Sequence, residues 1–209
     1  MDLEIAEPPS DTTLSRRSLV TRASAAGLAG LAAAFVIDRG ALASAAAGPD
    51  DRPGVPTEAD TEVLARVIEI ELAASALYRV ALENASDDLA VAIQVMSDNH
   101  RAYAESIAGA TGISAGGPTE ELVAEFEPLF TGSSTEFYTT AHTLEQTLVA
   151  THTSLIADYE STNAIQLTSS IAVVEARHAT VLADLLGVDD LDVLFGNEES
   201  PLDLTGDDA

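Results

Sequence analysis

Glu71, Glu145 and Glu175 each sit at the centre of an apolar stripe with a helical repeat, in a chain of 209 residues. That conflict narrows the available folds more than any other feature. Leu64, Val67, Ile68, Glu71, Ala74, Ser75 and Tyr78 share one face at spacings of three and four. A second stripe reads Leu89, Ile93, Met96, Ser97, His100, Tyr103, Ala104, Ile107. The third is Tyr138, Ala141, His142, Glu145, Leu148, Val149, His152, Leu155, and the fourth Ile171, Val174, Glu175, His178, Val181, Leu182, Leu185. All four histidines of the chain thus join three carboxylates on faces expected to be buried.

The segments around these stripes predict an all-α chain. Thr57 offers an N-cap with acids in the first turn of a helix that runs to about Ala85. After a turn over Asn84–Asp88, a second helix extends from about Asp87 to Ala108 and stops at Gly109 and Gly112. Residues 110–133 are rich in Gly and Pro around a short helix, Thr119–Glu127. A third long helix spans about Ser134–Tyr159, and a fourth about Ala164–Leu186, ended by Gly187 at a C′ position. Short turns make two antiparallel helix hairpins, and the long link is a crossover able to travel the length of a bundle. A plain up-and-down bundle with an ornamented loop fits the same lengths.

The buried charges discriminate further. An unpaired buried charge costs several kcal/mol, against a total stability of only about 5–15 kcal/mol. A hard cation compensates such groups directly, because carboxylate oxygens and imidazole nitrogens are its ligands. In Glu175-Ala-Arg-His178 the spacing of three stacks both side chains over one helical turn. Neutral acids hydrogen-bonded to histidine and tyrosine would also satisfy the cluster.

On these residues, 57–187 resembles the ferritin-like superfamily of di-iron and di-manganese carboxylate proteins, most nearly exported bacterial ferritin-like domain proteins. The resemblance implies a ferritin-like four-helix bundle, with one Glu on each of two helices and Glu-x-x-His on the other two. Glu71 and Glu145 match the single acids, Glu175 and His178 the complete pair, and His100 the histidine of the other pair. The implied metal ligands are Glu71, His100, Glu145, Glu175 and His178, and the implied cofactor is iron or manganese. Ser97 stands where the sixth ligand, usually a bridging Glu, belongs. Asp98 lies roughly 100° round the helix and reaches the face only through a π-bulge. A water or His142 are the other ways to complete the shell.

The ends of the chain read differently. Ser15-Arg16-Arg17-Ser18-Leu19 precedes an apolar run, Ala23–Ile37, and small residues from Gly40 to Ala47. Residues 1–47 therefore resemble a twin-arginine signal peptide, cleaved after Ala43, Ala45 or Ala47. The resemblance implies export across the cytoplasmic membrane by the twin-arginine machinery, to the envelope or the medium. An uncleaved anchor is the alternative, although the run is shorter than the roughly 20 residues that span a bilayer. Residues 48–56 form a linker, and residues 188–209 an acidic tail, mobile beyond Asn197.

Composition removes other functions. The chain has no Cys, excluding disulfides, thiolate metal sites and a cysteine nucleophile. It has no Lys, nine Arg and a net charge of −26, which excludes a nucleic-acid surface. No phosphate loop, dinucleotide fingerprint or serine elbow is present. Nothing marks assembly surfaces, so a homo-oligomer stays open and a storage cage is unsupported. Two readings remain: a metal-binding ferritin-like protein, or a metal-free bundle with a structural or interaction role in the envelope. Enzymatic activity is undecided.

Overall fold

The computed structural model describes residues 53–204. The signal peptide expected over residues 1–47 lies outside the described residues. Among the described residues six helices follow in chain order: α1 (Glu58–Leu82), α2 (Asp87–Thr111), α3 (Glu120–Phe130), α4 (Ser134–Leu155), α5 (Thr162–Leu186) and α6 (Leu191–Phe195). The described residues contain no strand, and no helix among them is long and apolar enough to cross a membrane.

Local chemistry sets the helix ends. Thr57 and Asp60 form a reciprocal capping box on α1, and Ser133 and Glu136 form another on α4. Gly112 and Gly187 end α2 and α5 in the left-handed region, at φ 76° and 73°; only glycine adopts it without cost. Asp60 has a second task. Its carboxylate also accepts from Glu160 N (2.8 Å) and Ser161 N (3.0 Å), tying the start of α1 to the α4–α5 turn. That turn opens earlier than the sequence spacing indicates, so α4 stops at Leu155 and Tyr159 folds back into the core.

The register between hairpins follows from cross-helix pairs. Tyr78 of α1 meets Glu145 of α4, and Glu71 meets His152. One number falls as the other rises, so α1 and α4 are antiparallel. Glu71–His100 and Ser75–Ser97 give the same relation for α1 and α2, and Glu145–His178 with His152–Glu175 for α4 and α5. Hence α2 and α4 run in the same direction, which obliges residues 112–133 to travel the bundle's length. The crossover is held on α1, where Thr119 N donates to Glu69 O (3.2 Å) and Leu122 and Phe130 pack with Ile70, Leu77 and Tyr78.

Two apolar clusters flank the polar side chains along the bundle axis. One gathers Leu77, Met96, Phe130, Phe137, Leu148 and Leu182; the other gathers Leu64, Ile68, Tyr103, Ile107, Ile171 and Val174. The segment after α6 is more ordered than its acidity indicates. Asn197 Nδ2 donates to Gln146 O (2.8 Å), Leu202 N donates to Thr151 Oγ1 (2.9 Å), and Leu202 and Leu204 pack against the core. Mobility is therefore corrected between Asn197 and Leu204: two leucines and two hydrogen bonds lay this extended stretch along α4.

Candidate metal centre

Between the apolar clusters, all five residues singled out from the sequence converge. Glu71, His100, Glu145 and Glu175 have no exposed surface, and His178 is only 3% exposed. His100 joins both hairpins. Its Nδ1 lies 2.7 Å from Glu71 Oε2, and its Nε2 lies 3.1 Å from Glu145 Oε1. His178 Nδ1 lies 3.3 Å from the Glu145 carboxylate, and its Nε2 lies 3.1 Å from Asn99 Nδ2. Tyr78 donates its hydroxyl to Glu145 Oε1 at 2.5 Å.

A sixth member is His152, fully buried, with Nε2 2.9 Å from Glu71 Oε1 and 3.1 Å from Glu175 Oε1. Sequence spacing placed it on the right face without assigning it a partner. The available signal was its interval of seven from Glu145, equal to that between Glu71 and Tyr78. On antiparallel helices those two intervals face each other in reverse, so each acid meets the other helix's ring. Asn99 carried no signal at all, since it lies off the apolar stripe.

His142 departs from expectation. It is half-buried at the edge of its stripe and lines an outer pocket with Gln146, Leu194, Phe195 and Asn197. It therefore does not join the cluster. Ser97 is buried, but its hydroxyl donates to Ser75 O (2.9 Å) and lies 3.3 Å from Ser75 Oγ. Asp98 is exposed and accepts from Gln94 Nε2 (2.9 Å). Since α2 is α-helical throughout, no bulge turns Asp98 inward.

The electrostatics follow from burial opposed by pairing. Burial alone would raise the Glu71 carboxyl, but the hydrogen bonds and positive charge of His100 and His152 hold it at about 2. Glu145 is likewise held well below the carboxylate range, with His178 and His100 outweighing burial. Burial disfavours the charged imidazoles, yet Glu145 and Glu71 lift His100 far above its ordinary value. Glu175 with Glu71 lifts His152 to about 10. Glu175 goes the other way: burial pushes it up to about 7, with Glu71's charge adding and His152 only partly opposing. Burial and Glu145 also drive the Tyr78 hydroxyl well up, so it remains a donor.

The donor set suits a hard or borderline cation. His100, Glu145 and His178 present ligand atoms within 4.8 Å of one another, as do Glu71, His100 and Glu175. Glu175 Oε2 is buried without a hydrogen-bond partner, leaving an anionic oxygen that a proton or a cation would satisfy. Aromatic rings close over the cluster. Tyr78 stacks on His100 at 5.6 Å, and Phe130 from α3 and Phe137 from α4 pack edge-on against Tyr78.

A bundle of two hairpins and a lengthwise crossover around buried Glu and His side chains is the ferritin-like class. The chain belongs to that family: the model of the ferritin-like domain matches residues 59–188, more than half of its length. Comparison with curated proteins and with solved structures finds no match.

Proposed function

We propose that this is an exported ferritin-like protein that binds iron or manganese in its buried carboxylate–histidine cluster. One observation carries the reading. Three carboxylates and three imidazoles converge where the fold excludes water, and one carboxylate oxygen, Glu175 Oε2, is left without a partner. Glu71, His100, Glu145, Glu175 and His178 are ligands in this reading, and they would exchange bound protons for cation charge on loading. Bound iron or manganese supplies one-electron redox chemistry. The chain's own part is to orient and to shield: Asn99 sets the His178 ring, Tyr78 fixes Glu145, and the rings of Phe130 and Phe137 keep solvent out. Titration of chelator-stripped protein with Mn(II) and anaerobic Fe(II), followed by thermal unfolding, tests the reading. It expects stoichiometric binding and a raised midpoint; no binding and no shift sink it.

A second reading has its own support. Glu71 and Glu145 already find histidine partners, so most of the cluster is satisfied by hydrogen bonds and opposite charge. A metal-free bundle with a structural role in the envelope needs no more. Melting temperatures that ignore both chelator and metal favour this reading.

Export rests on the leader, Ser15-Arg16-Arg17-Ser18-Leu19 and the apolar run behind it. Arg16→Lys with Arg17→Lys is expected to keep the protein inside the cell. Unchanged export of that double variant argues against the twin-arginine route.

A further inference from the structure

Resting on the metal-binding reading, we propose that His152 is a metal ligand that takes over the part Ser97 cannot play. It divides the centre into two triads: His100, Glu145 and His178, and Glu71, His152 and Glu175.

Donor arithmetic at His100 is the starting point. Both groups of convergent ligand atoms include it. Its Nδ1 faces Glu71 and its Nε2 faces Glu145, so each ring nitrogen addresses a different group. A neutral imidazole has one ring nitrogen with a free lone pair and one that carries hydrogen. It therefore serves one cation at a time. If His100 is spent beside Glu145 and His178, Glu71 and Glu175 are left with two carboxylates and no nitrogen.

His152 fills that gap. It projects from α4, two turns beyond Glu145, and its Nε2 lies between Glu71 Oε1 and Glu175 Oε1 at 2.9 and 3.1 Å. It is 1% exposed, so solvent does not compete for it. Among the described residues, the unpartnered buried atoms of the cluster are Glu175 Oε2 and His152 Nδ1, both on this pair. Both unsatisfied polar atoms of the cluster thus fall on the His152–Glu175 pair. Ser97 is committed to the Ser75 carbonyl and contributes nothing. The result is a centre of three carboxylates and three imidazoles, with one fewer negative charge than a set with four carboxylates and two histidines.

The test uses the full chain with isotope-labelled histidine nitrogens, each signal assigned by single substitution, titrated with Zn(II). Zinc is diamagnetic and takes the same His and Glu donors. The ring-nitrogen signals of His100, His152 and His178 are expected to move to metal-bound positions, while His142 in its outer pocket stays. Movement of His100 and His178 with His152 unchanged overturns the inference and leaves the metal reading standing. No movement at any histidine overturns both. In a parallel measurement, His152→Gln is expected to lower Mn(II) stoichiometry from about two per chain to about one, since one triad keeps its donors. Unchanged stoichiometry and affinity in a folded His152→Gln protein also overturns it. Should that variant not fold, the nitrogen signals of the wild-type chain decide alone.

Discussion

Glu145 and Glu175 are both fully buried acids, yet replacing each with Leu should have opposite consequences in metal-free protein. The Glu145 carboxylate accepts from Tyr78 at 2.5 Å and faces His100 at 3.1 Å and His178 at 3.3 Å. Glu145→Leu strands a phenol and two ring nitrogens in the interior. An unsatisfied buried donor costs about 1–3 kcal/mol, and breaking a buried ion pair about 3–5 kcal/mol. Some of these terms overlap, because His100 can shed its proton once the acid is gone, so a net loss of about 4 kcal/mol follows. With a urea slope of about 2 kcal/mol/M, the midpoint falls by about 2 M. Among the described residues Glu175 accepts from His152 alone, and His152 keeps Glu71. Its other oxygen has no partner, and burial raises its carboxyl to about 7, so it is an expensive group to keep ionised at neutral pH. Glu175→Leu should therefore lie within about 1 kcal/mol of wild type or be more stable. Urea unfolding of chelator-treated protein, followed by far-UV circular dichroism with slopes compared, measures both. Losses that agree to within about 1 kcal/mol would refute the assignment of different electrostatic roles to the two acids.

Other predictions test neighbouring parts of the account. Metal-free stability should depend on pH in a defined way. Glu71, lowered from 4.5 to about 2, contributes above 4.5 and its share is lost as pH falls through 2. His152, raised from 6.5 to about 10, contributes below 6.5 and is lost as pH rises through 10. Glu175, raised from 4.5 to about 7, adds a cost that grows across that interval. Urea midpoints should thus decline from mildly acidic toward alkaline pH, and a midpoint that rises steadily to pH 9 contradicts the pairings. Leu148→Ala, at a position with no exposure, should cost about 3–5 kcal/mol and lower the melting temperature by about 10 °C in calorimetry. Asp60→Ala leaves the amides of Thr57, Glu160 and Ser161 without their acceptor. It should cost about 2–4 kcal/mol and speed hydrogen exchange at Glu160 and Ser161, with metal affinity unchanged.

The sequence made most of the fold legible because its strongest signals are local. Helical stripes, the cap at Thr57, and the stops at Gly112 and Gly187 depend on neighbours within a turn or two. Glu71, Glu145, Glu175, His100 and His178 stood out because each interrupts an apolar face. What stayed hidden depended on contacts between distant segments. Whether His142 or His152 turns inward depends on how α4 meets α1, and that register follows from the crossover rather than from either helix. The docking of Asn197 and Leu202 on α4 is likewise long-range, and the acidic residues around them pointed instead to a solvated tail. Asn99 lies outside the stripe, so only the packing of α2 beside α5 gives it a role at His178.

Metal content of the purified protein tests the central claim most directly. The folded protein, purified without chelator and measured by elemental analysis, should carry iron or manganese at about one to two atoms per chain. Glu145→Leu should lower that content, since only the triad of Glu71, His152 and Glu175 keeps its donors. Protein that is metal-free as isolated, and still metal-free after anaerobic loading with Fe(II) or Mn(II), would contradict it. The buried acids and histidines would then serve as a hydrogen-bonded clasp between the two hairpins.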